Sequence, residues 1–182
     1  MARPSVQAGL KPRDVFDHAK FYHVSAELLG AEIVRDMPQQ AHPEFIFPQV
    51  FMSAVASEVY LKCLHAIEFQ GTVPKDHPLD KLFGGLPTAT KQLVRRRWNA
   101  MVGQTPIAKG TSARSGKRVR YDLASALREG SLALMRYRCA YEGKHLNGYP
   151  LADLPNVLRE AIVELKPEWQ AQHGAHGRPV GG

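Results

Sequence analysis

The apolar residues of this chain recur at intervals of three and four residues, which is the spacing of one face of an α-helix. No stretch alternates regularly between apolar and polar residues, as a half-buried strand would. The sequence therefore predicts an all-α fold, a single bundle of about five helices. The predicted helices span residues 14–37, 48–69, 88–102, 121–145 and 153–165, and a single helical turn spans residues 79–86.

Residues with special backbone properties mark several of the predicted helix ends. Pro48 suits the first position of the second helix, so residues 43–48 are predicted to form a turn before it. Gly71 is expected to end that helix, because glycine readily adopts the left-handed conformation found after helices. Asp122 and Asp153 can cap the helices that follow them.

The ends of the chain and one interior segment lack helical periodicity. Residues 1–12 are predicted to form a flexible tail and residues 167–182 a disordered one, which leaves residues 13–166 for the bundle. Residues 103–120 contain several cations and no acid, so we expect a basic flexible loop between the third and fourth helices. Its cations are Lys109, Arg114, Lys117, Arg118 and Arg120.

The net charge of the 182-residue chain is +7, an excess that favours polyanionic partners such as RNA. Arg95 and Arg96 lie on the polar side of the third predicted helix, next to the basic loop. Together with the loop cations they are candidate phosphate contacts, and their affinity for RNA would fall as salt rises. An ordinary solvated surface loop is an equally good interpretation of the same charges.

Motifs for cofactors and metals are absent from the sequence. There is no glycine-rich dinucleotide or phosphate-binding motif, no zinc-binding His-Glu-x-x-His and no nucleophile elbow. A di-iron bundle needs two Glu-x-x-His motifs, and the chain has one, Glu142 to His145. We therefore expect no cofactor and no metal.

The cysteines and the apolar runs bear on the compartment. Cys63 and Cys139 lie within apolar helical runs, where we expect buried thiols without a disulfide. The N-terminus lacks the apolar core of a signal peptide, and no stretch of about 18 uncharged apolar residues exists. The sequence thus predicts no membrane partner and a reducing cytoplasmic location.

Two groups of polar residues have spacings suited to chemistry. Arg138 and His145 are seven residues apart, about two turns, so they would project from one side of the fourth helix. A guanidinium binds phosphate, and an imidazole exchanges protons near neutral pH. Glu58, Lys62 and His65 share a face of the second helix, either as part of a site or as a solvated strip with a Glu–Lys pair.

The order of these segments is similar to that of a known family. SEVYLKCL in the second helix, HPLDKLFGGL after it and LALMRYRCAYEG in the fourth helix resemble the HEPN family of small helical bundles, over roughly residues 14–166. The resemblance implies a dimeric protein that cleaves or binds RNA, as in many prokaryotic toxin–antitoxin and phage-defence systems. An antitoxin or a defence-operon protein would then be its partner.

The active motif of that family is an arginine followed, after four to six residues, by a histidine near the end of a late helix. Arg138 and His145 match it at the longest permitted spacing. The resemblance therefore implies that they are catalytic, and that a homodimer brings two such pairs to one groove. Second-tier candidates for the groove are Glu58, Lys62, His77 and Glu142, although His77 is more simply explained as a loop cap.

Two departures from the motif leave another interpretation open. Cys139 follows Arg138 where active members carry a polar residue, and Gly143 can end the helix before His145. Arg138 would then pair with Glu142, and the protein would be a noncatalytic module that binds RNA or another protein. If the pair is intact, the 2′-hydroxyl of RNA is the nucleophile, His145 transfers protons and Arg138 stabilises charge on the phosphate.

Overall fold

The structure is a computed structural model that describes residues 6–36, 43–102, 122–136 and 153–170. These residues form six α-helices, one of them short, together with one pair of very short strands and a 3₁₀ turn. The prediction of an all-α bundle of about five helices is confirmed. The helices are α1 (Pro12–Asp36), α2 (Pro43–Glu68), α3 (Leu79–Gly84), α4 (Thr88–Val102), α5 (Leu123–Arg136) and α6 (Leu154–Leu165).

Helix α2 lies at the centre of the bundle and contacts α1, α3, α5 and α6. Ala54, Tyr60, Leu61 and Leu64 of this helix are completely buried. Their side chains point in several directions around the helix axis, because successive helical residues are rotated by about 100°. The helix is therefore enclosed on most of its sides, which explains why its sequence is apolar nearly all round.

Helix α2 is also, among the described residues, the one helix long and apolar enough to cross a membrane, over Glu44–Glu68. However, 61% of its most apolar window is buried inside the bundle. The core helix of a bundle meets the same length and composition test, so the place of α2 in the fold accounts for its hydropathy.

The start of α2 differs from the prediction. The helix begins at Pro43, so the predicted turn over residues 43–48 is wrong. Pro43 occupies the first helical position, where a missing N–H costs no hydrogen bond. Pro48 lies inside the helix and removes one bond to the carbonyl of Glu44. Ile46 packs against the core, and the burial of this first turn offsets that loss.

The end of α2 is as predicted. Gly71 has a φ of 85°, and its N–H donates to the carbonyl of Ala66 at 2.8 Å, as in a left-handed helix cap. The N–H of Leu10 donates in turn to the carbonyl of Gly71 at 3.2 Å. A Cβ at Gly71 would lie 2.5 Å from the carbonyl oxygen of Leu10. Both the backbone angle and the close approach therefore require glycine.

Residues 6–12 belong to the folded region and not to a flexible tail. Val6–Gln7 form strand β1, which pairs antiparallel with strand β2, Val73–Pro74. Helix α1 begins a few residues later, at Pro12. The N-terminal boundary of the folded region therefore moves from residue 13 to residue 6.

The C-terminal boundary moves as well, because Pro167–Trp169 form a 3₁₀ turn that packs on α1. The ring centroid of Trp169 lies 5.3 Å from that of Phe16, and the guanidinium of Arg13 lies 5.6 Å from the Trp169 ring. This part of the predicted disordered tail is thus held against the bundle. Residues 171–182, the remainder of that tail, lie outside the described residues, as do residues 103–121.

Helix α5 begins where the sequence places it. Oδ1 of Asp122 accepts a hydrogen bond from the backbone N–H of Ser125 at 2.8 Å, which is a side-chain N-cap. Leu123 and Leu127 of the first two turns are buried in the core. The helix is described as far as Arg136, so its predicted continuation over residues 137–145 lies outside the described residues.

Candidate functional site

A carboxylate on α2 holds two basic side chains close together. Oε1 of Glu58 accepts a hydrogen bond from Nζ of Lys62 at 2.6 Å and another from Nδ1 of His77 at 2.9 Å. Lys62 is one turn further along α2, whereas His77 belongs to the segment between β2 and α3. The Glu58 side chain is only 12% exposed, so the three groups form a partly enclosed charged cluster and not a solvated ion pair.

The contact with Glu58 sets the chemistry of the His77 ring. A carboxylate only accepts hydrogen bonds, so Nδ1 carries the hydrogen, and Nε2 of the neutral ring is left as a proton acceptor. The side chain of His77 is 73% exposed, so a ligand can reach the ring. The simpler expectation, that His77 caps a loop, is not met: its ring bonds to Glu58 of α2 instead.

Ser131 of α5 holds the segment that carries His77. Its Oγ accepts a hydrogen bond from the backbone N–H of Leu79 at 2.8 Å. The same hydroxyl lies 3.0 Å from Oδ1 of Asp80 and 2.9 Å from the carbonyl of Leu127, and it can donate to one of them at a time. Helix α5 is thereby joined to the first turn of α3, next to His77.

The cluster opens into a cavity of about 460 Å³, a size typical of ligand sites. Its walls come from α2, from the segment before α3 and from α5. We call this cavity the Glu58 groove, and its lining residues are Phe51, Val55, Glu58, His77, Pro78, Ser131 and Leu134. Most of the lining is apolar, and a carboxylate, an imidazole and a hydroxyl supply its polar groups.

The structure brings together three of the second-tier candidates and does not describe the others. Lys62 and His77 both bond to Glu58, and Glu58 and His77 line the groove. Glu142 and the catalytic candidates Arg138 and His145 lie outside the described residues. Leu134, in the last described turns of α5, lines the groove. Arg138 follows Leu134 by four residues in the sequence.

His65 does not join this cluster, although it shares a helical face with Glu58 and Lys62. It is buried, and its Nε2 lies 2.8 Å from the carbonyl of Leu82, to which it donates. Burial lowers the pKa of His65, so the ring is neutral and serves to fix α3 on α2. The solvated-strip interpretation is therefore wrong for this residue. The Glu58–Lys62 pair that it included is present.

The cations of α4 have partners of their own. Arg96 and Arg97 both bond to Glu164 of α6, with Nε of Arg97 at 2.9 Å from the carboxylate. The hydrogen bonds from Arg97 are the largest cause of a lowered pKa at Glu164. The guanidinium of Arg95 lies 5.6 Å from the ring centroid of Phe83. The loop cations Lys109, Arg114, Lys117, Arg118 and Arg120 lie outside the described residues.

A second polar cluster lies between α1, α2 and α6, and the sequence did not predict it. His23 is buried, with Nδ1 at 3.1 Å from the hydroxyl of Tyr60 and Nε2 at 3.5 Å from Oε1 of Glu27. Burial is the main cause of the lowered pKa of this ring. The charge of Arg159 on α6 lowers the pKa further, whereas a hydrogen bond with Asn156 of the same helix raises it. A histidine in an apolar helical stripe gives no sign in the sequence of such partners.

Among the described residues, no three His, Cys, Asp or Glu side chains lie close enough to hold a metal ion. The described cysteine, Cys63, is buried and donates to the carbonyl of Pro12 at 3.3 Å, and burial raises the pKa of its thiol. A buried thiol with a raised pKa is structural and unreactive.

Comparison with known proteins gives no relative: no protein-family model, no curated protein and no solved structure matches this chain.

Proposed function

We propose that this protein is a HEPN-like helical bundle that acts on RNA, and that it is a metal-independent endoribonuclease. Arg138 and His145 are its catalytic residues, and the Glu58 groove holds the RNA beside them. The observation that carries the proposal is the Glu58–Lys62–His77 cluster, which faces a cavity whose wall includes Leu134.

The position of Leu134 supports the link between the groove and the motif. Residues four apart on a helix lie on the same face, one turn from each other. If α5 continues as the sequence predicts, Arg138 follows Leu134 along the wall of the groove. The guanidinium would then enter a groove lined by the imidazole of His77 and by the Glu58 carboxylate, whose charge Lys62 offsets.

The residue chemistry fits transesterification of RNA. His145 accepts the proton of the 2′-hydroxyl, whose oxygen attacks the adjacent phosphorus and forms a 2′,3′-cyclic phosphate. Arg138 stabilises the charge on the phosphate oxygens in the transition state. The bond from phosphorus to the 5′-oxygen breaks, and a protonated His77 donates from Nε2 to that oxygen. Glu58 keeps the His77 ring in the required orientation through Nδ1.

Cleavage of labelled total RNA in EDTA tests this proposal. The native protein is expected to cleave, and His145→Ala and Arg138→Ala are each expected to lower the rate by about 100-fold or more. His173→Ala, a histidine to which the proposal gives no role, is the matched control and is expected to keep full activity. Absence of cleavage by the folded native protein would contradict the proposal, and equal cleavage by His145→Ala would exclude that residue.

A noncatalytic RNA-binding or protein-interaction module is the second candidate. The two motif departures favour it, since Cys139 follows Arg138 and Gly143 precedes His145. RNA would then be bound by the basic loop and by α4, and an antitoxin or defence-operon protein would be the other partner in the cytoplasm. This candidate predicts binding without cleavage, with an affinity that falls steeply as salt rises.

Arg95 and Arg96 of α4 give this second candidate a specific test. Arg95→Ala removes a cation that lies over a phenyl ring and has no carboxylate contact in the structure described. For single-stranded RNA, it is expected to reduce the slope of log affinity against log salt by about 0.7. Arg96→Ala removes a cation that bonds to Glu164 and is expected to change the slope less. Equal slopes for all three proteins would exclude α4 from the RNA contact.

A further inference from the structure

Another cavity lies beside the segment that carries His77. Its volume is about 550 Å³, within the range of small-molecule sites, and its walls come from the end of α2, the strand pair and α3. Asp76 lines this cavity, whereas the next residue, His77, lines the Glu58 groove. We call it the His65 cavity, after the buried histidine in its wall, and it shares no lining residue with the Glu58 groove.

The walls of the His65 cavity are mostly apolar and leave apolar side chains open to solvent. Val6 of β1 and Phe69, just after α2, both line the cavity and are 49% and 43% exposed. The ring of Phe69 stacks on the ring of His65, with the centroids 5.5 Å apart and an angle of 27° between the planes. The cavity therefore offers an aromatic surface on which a flat ligand ring can stack.

The His65 ring supplies a hydrogen-bond acceptor to the cavity. The residue is only 3% exposed, and Nε2 donates to the carbonyl of Leu82 at 2.8 Å, so this nitrogen carries the hydrogen of the neutral ring. Nδ1 is then an acceptor, and within the described residues it has no hydrogen-bond partner and is not fully enclosed. A buried acceptor that lines a cavity without a partner favours a ligand that carries a donor.

Gly85, just after α3, keeps the His65 ring open to the cavity. Its φ is −77°, an angle that other residues adopt freely, so the backbone conformation does not require glycine. A Cβ at this position would lie 3.1 Å from Cε1 of His65, at the edge of the ring. A side chain at residue 85 would therefore occupy the space through which a ligand reaches the imidazole.

Two opposite charges at the cavity are left without ion pairs by the part of the chain that the structure describes. Asp76 precedes α3 and Lys81 lies within it, and both are exposed and line the cavity. A carboxylate binds an ammonium group and an ammonium binds a carboxylate, so these two side chains fit a ligand that carries both charges.

We propose that the His65 cavity binds a small aromatic zwitterion whose ring carries an N–H donor, as an indole amino acid does. The ring stacks on Phe69 and donates its N–H to Nδ1 of His65. The ammonium group of the ligand binds Asp76, and its carboxylate binds Lys81. This site does not depend on the proposed ribonuclease, because no residue of the His65 cavity has a role in the cleavage.

A saturation-transfer NMR titration of the full chain with tryptophan, in the absence of RNA, tests the site. The dissociation constant is expected to be about 1 mM or lower for a ligand of this size. Three analogues each lack one of the recognised groups: tryptamine lacks the carboxylate, indole-3-propionate the ammonium and 1-methyltryptophan the ring N–H. Each is expected to bind about 10-fold more weakly than tryptophan.

Variants of the cavity locate the binding. Lys81→Met is expected to raise the dissociation constant of tryptophan about 10-fold and to bind tryptamine no more weakly than the native protein does. Lys75→Met, at an exposed lysine that does not line the cavity, is the matched control and is expected to keep the native affinity. Gly85→Leu is expected to abolish binding, because its side chain fills the space beside His65. Circular dichroism confirms that each variant is folded.

Three results would overturn the proposal: no binding of tryptophan to the native protein at about 10 mM, equal affinities of Lys81→Met and Lys75→Met, or equal affinities for 1-methyltryptophan and tryptophan. The last result would mean that the ring makes no hydrogen bond to Nδ1 of His65. A protein that cleaves RNA but binds no tryptophan would count against this site alone. A protein that binds tryptophan but does not cleave RNA would count against the proposed ribonuclease alone.

Discussion

Nδ1 of His77 lies 2.9 Å from Oε1 of Glu58, although the two residues are 19 positions apart in the chain. The same oxygen accepts a hydrogen bond from Lys62 at 2.6 Å. One carboxylate therefore connects the core helix to the segment that precedes α3, and it does so at the wall of the Glu58 groove. The orientation of the His77 imidazole therefore depends on this single side chain.

Removing that charge is expected to lower stability measurably. In Glu58→Gln, Lys62 stays about four-fifths buried without a carboxylate partner, and both hydrogen bonds lose their charged acceptor. The free energy of unfolding is expected to fall by about 1–2 kcal/mol, as measured by urea denaturation at a fixed protein concentration. Glu160→Gln, at a more exposed carboxylate 3.7 Å from Arg97, is the control, with an expected change below about 0.5 kcal/mol. Equal losses in the two variants would mean that the Glu58 contacts contribute no more than a surface ion pair.

Gly71 is expected to be irreplaceable at the end of α2. Gly71→Ala must hold a side chain at a φ of 85° with its Cβ 2.5 Å from the carbonyl oxygen of Leu10. The expected loss is at least about 2 kcal/mol in the free energy of unfolding. Gly84→Ala is the control, because a Cβ there meets nothing within 4 Å, and a change within about 1 kcal/mol is expected. Similar stabilities for both variants would show that residue 10 does not pass over the end of α2.

The buried histidines predict a loss of stability in acid. Burial lowers the pKa of His23 and of His65 from the ordinary value of 6.5. Well above pH 6.5 both rings are neutral in the folded and unfolded chains, so they contribute little pH dependence there. Below it the unfolded chain binds protons that the folded chain does not, and stability falls by up to about 1.4 kcal/mol per histidine for each pH unit.

Urea unfolding at pH 7.5 and 5.5, at one fixed protein concentration, measures this effect. The double variant His23→Gln, His65→Gln is expected to lose less stability between the two pH values than the native protein. His173→Gln, at a histidine that the proposed function does not use, is the control and is expected to lose as much as the native protein. The same pH dependence in all three proteins would mean that His23 and His65 titrate normally in the folded chain.

Local sequence features were sufficient to place most of the helices. The apolar spacing placed α1 and α4 within about two residues, and Gly71 and Asp122 marked helix ends through backbone chemistry that acts within one turn. Pro48 misled the prediction because an earlier proline, Pro43, is equally suited to the first helical position. Nothing in the local sequence distinguishes the two prolines, and the packing of Ile46 against the core favours the earlier start.

The features that the sequence did not predict depend on contacts between distant segments. Strand β1 is two residues long and pairs with Val73–Pro74, so it has no periodicity of its own. His65 and Glu58 share a helical face, but of the two α3 covers only His65. His65 is therefore buried and bonds to α3, whereas Glu58 lines the groove. The bond from His77 to Glu58 depends on the path of the chain between β2 and α3, which helical spacing does not determine.

The chemistry of the RNA ends tests the central claim most directly. If the 2′-hydroxyl is the nucleophile, fragments made by the native protein in EDTA carry a 2′,3′-cyclic phosphate on one side and a 5′-hydroxyl on the other. The 5′-ends of the new fragments are therefore expected to accept a labelled phosphate from a polynucleotide kinase without prior phosphatase treatment, and His145→Ala is expected to yield no such ends. New fragments with 5′-phosphate ends, or 5′-hydroxyl ends produced equally by His145→Ala, would contradict the proposed ribonuclease.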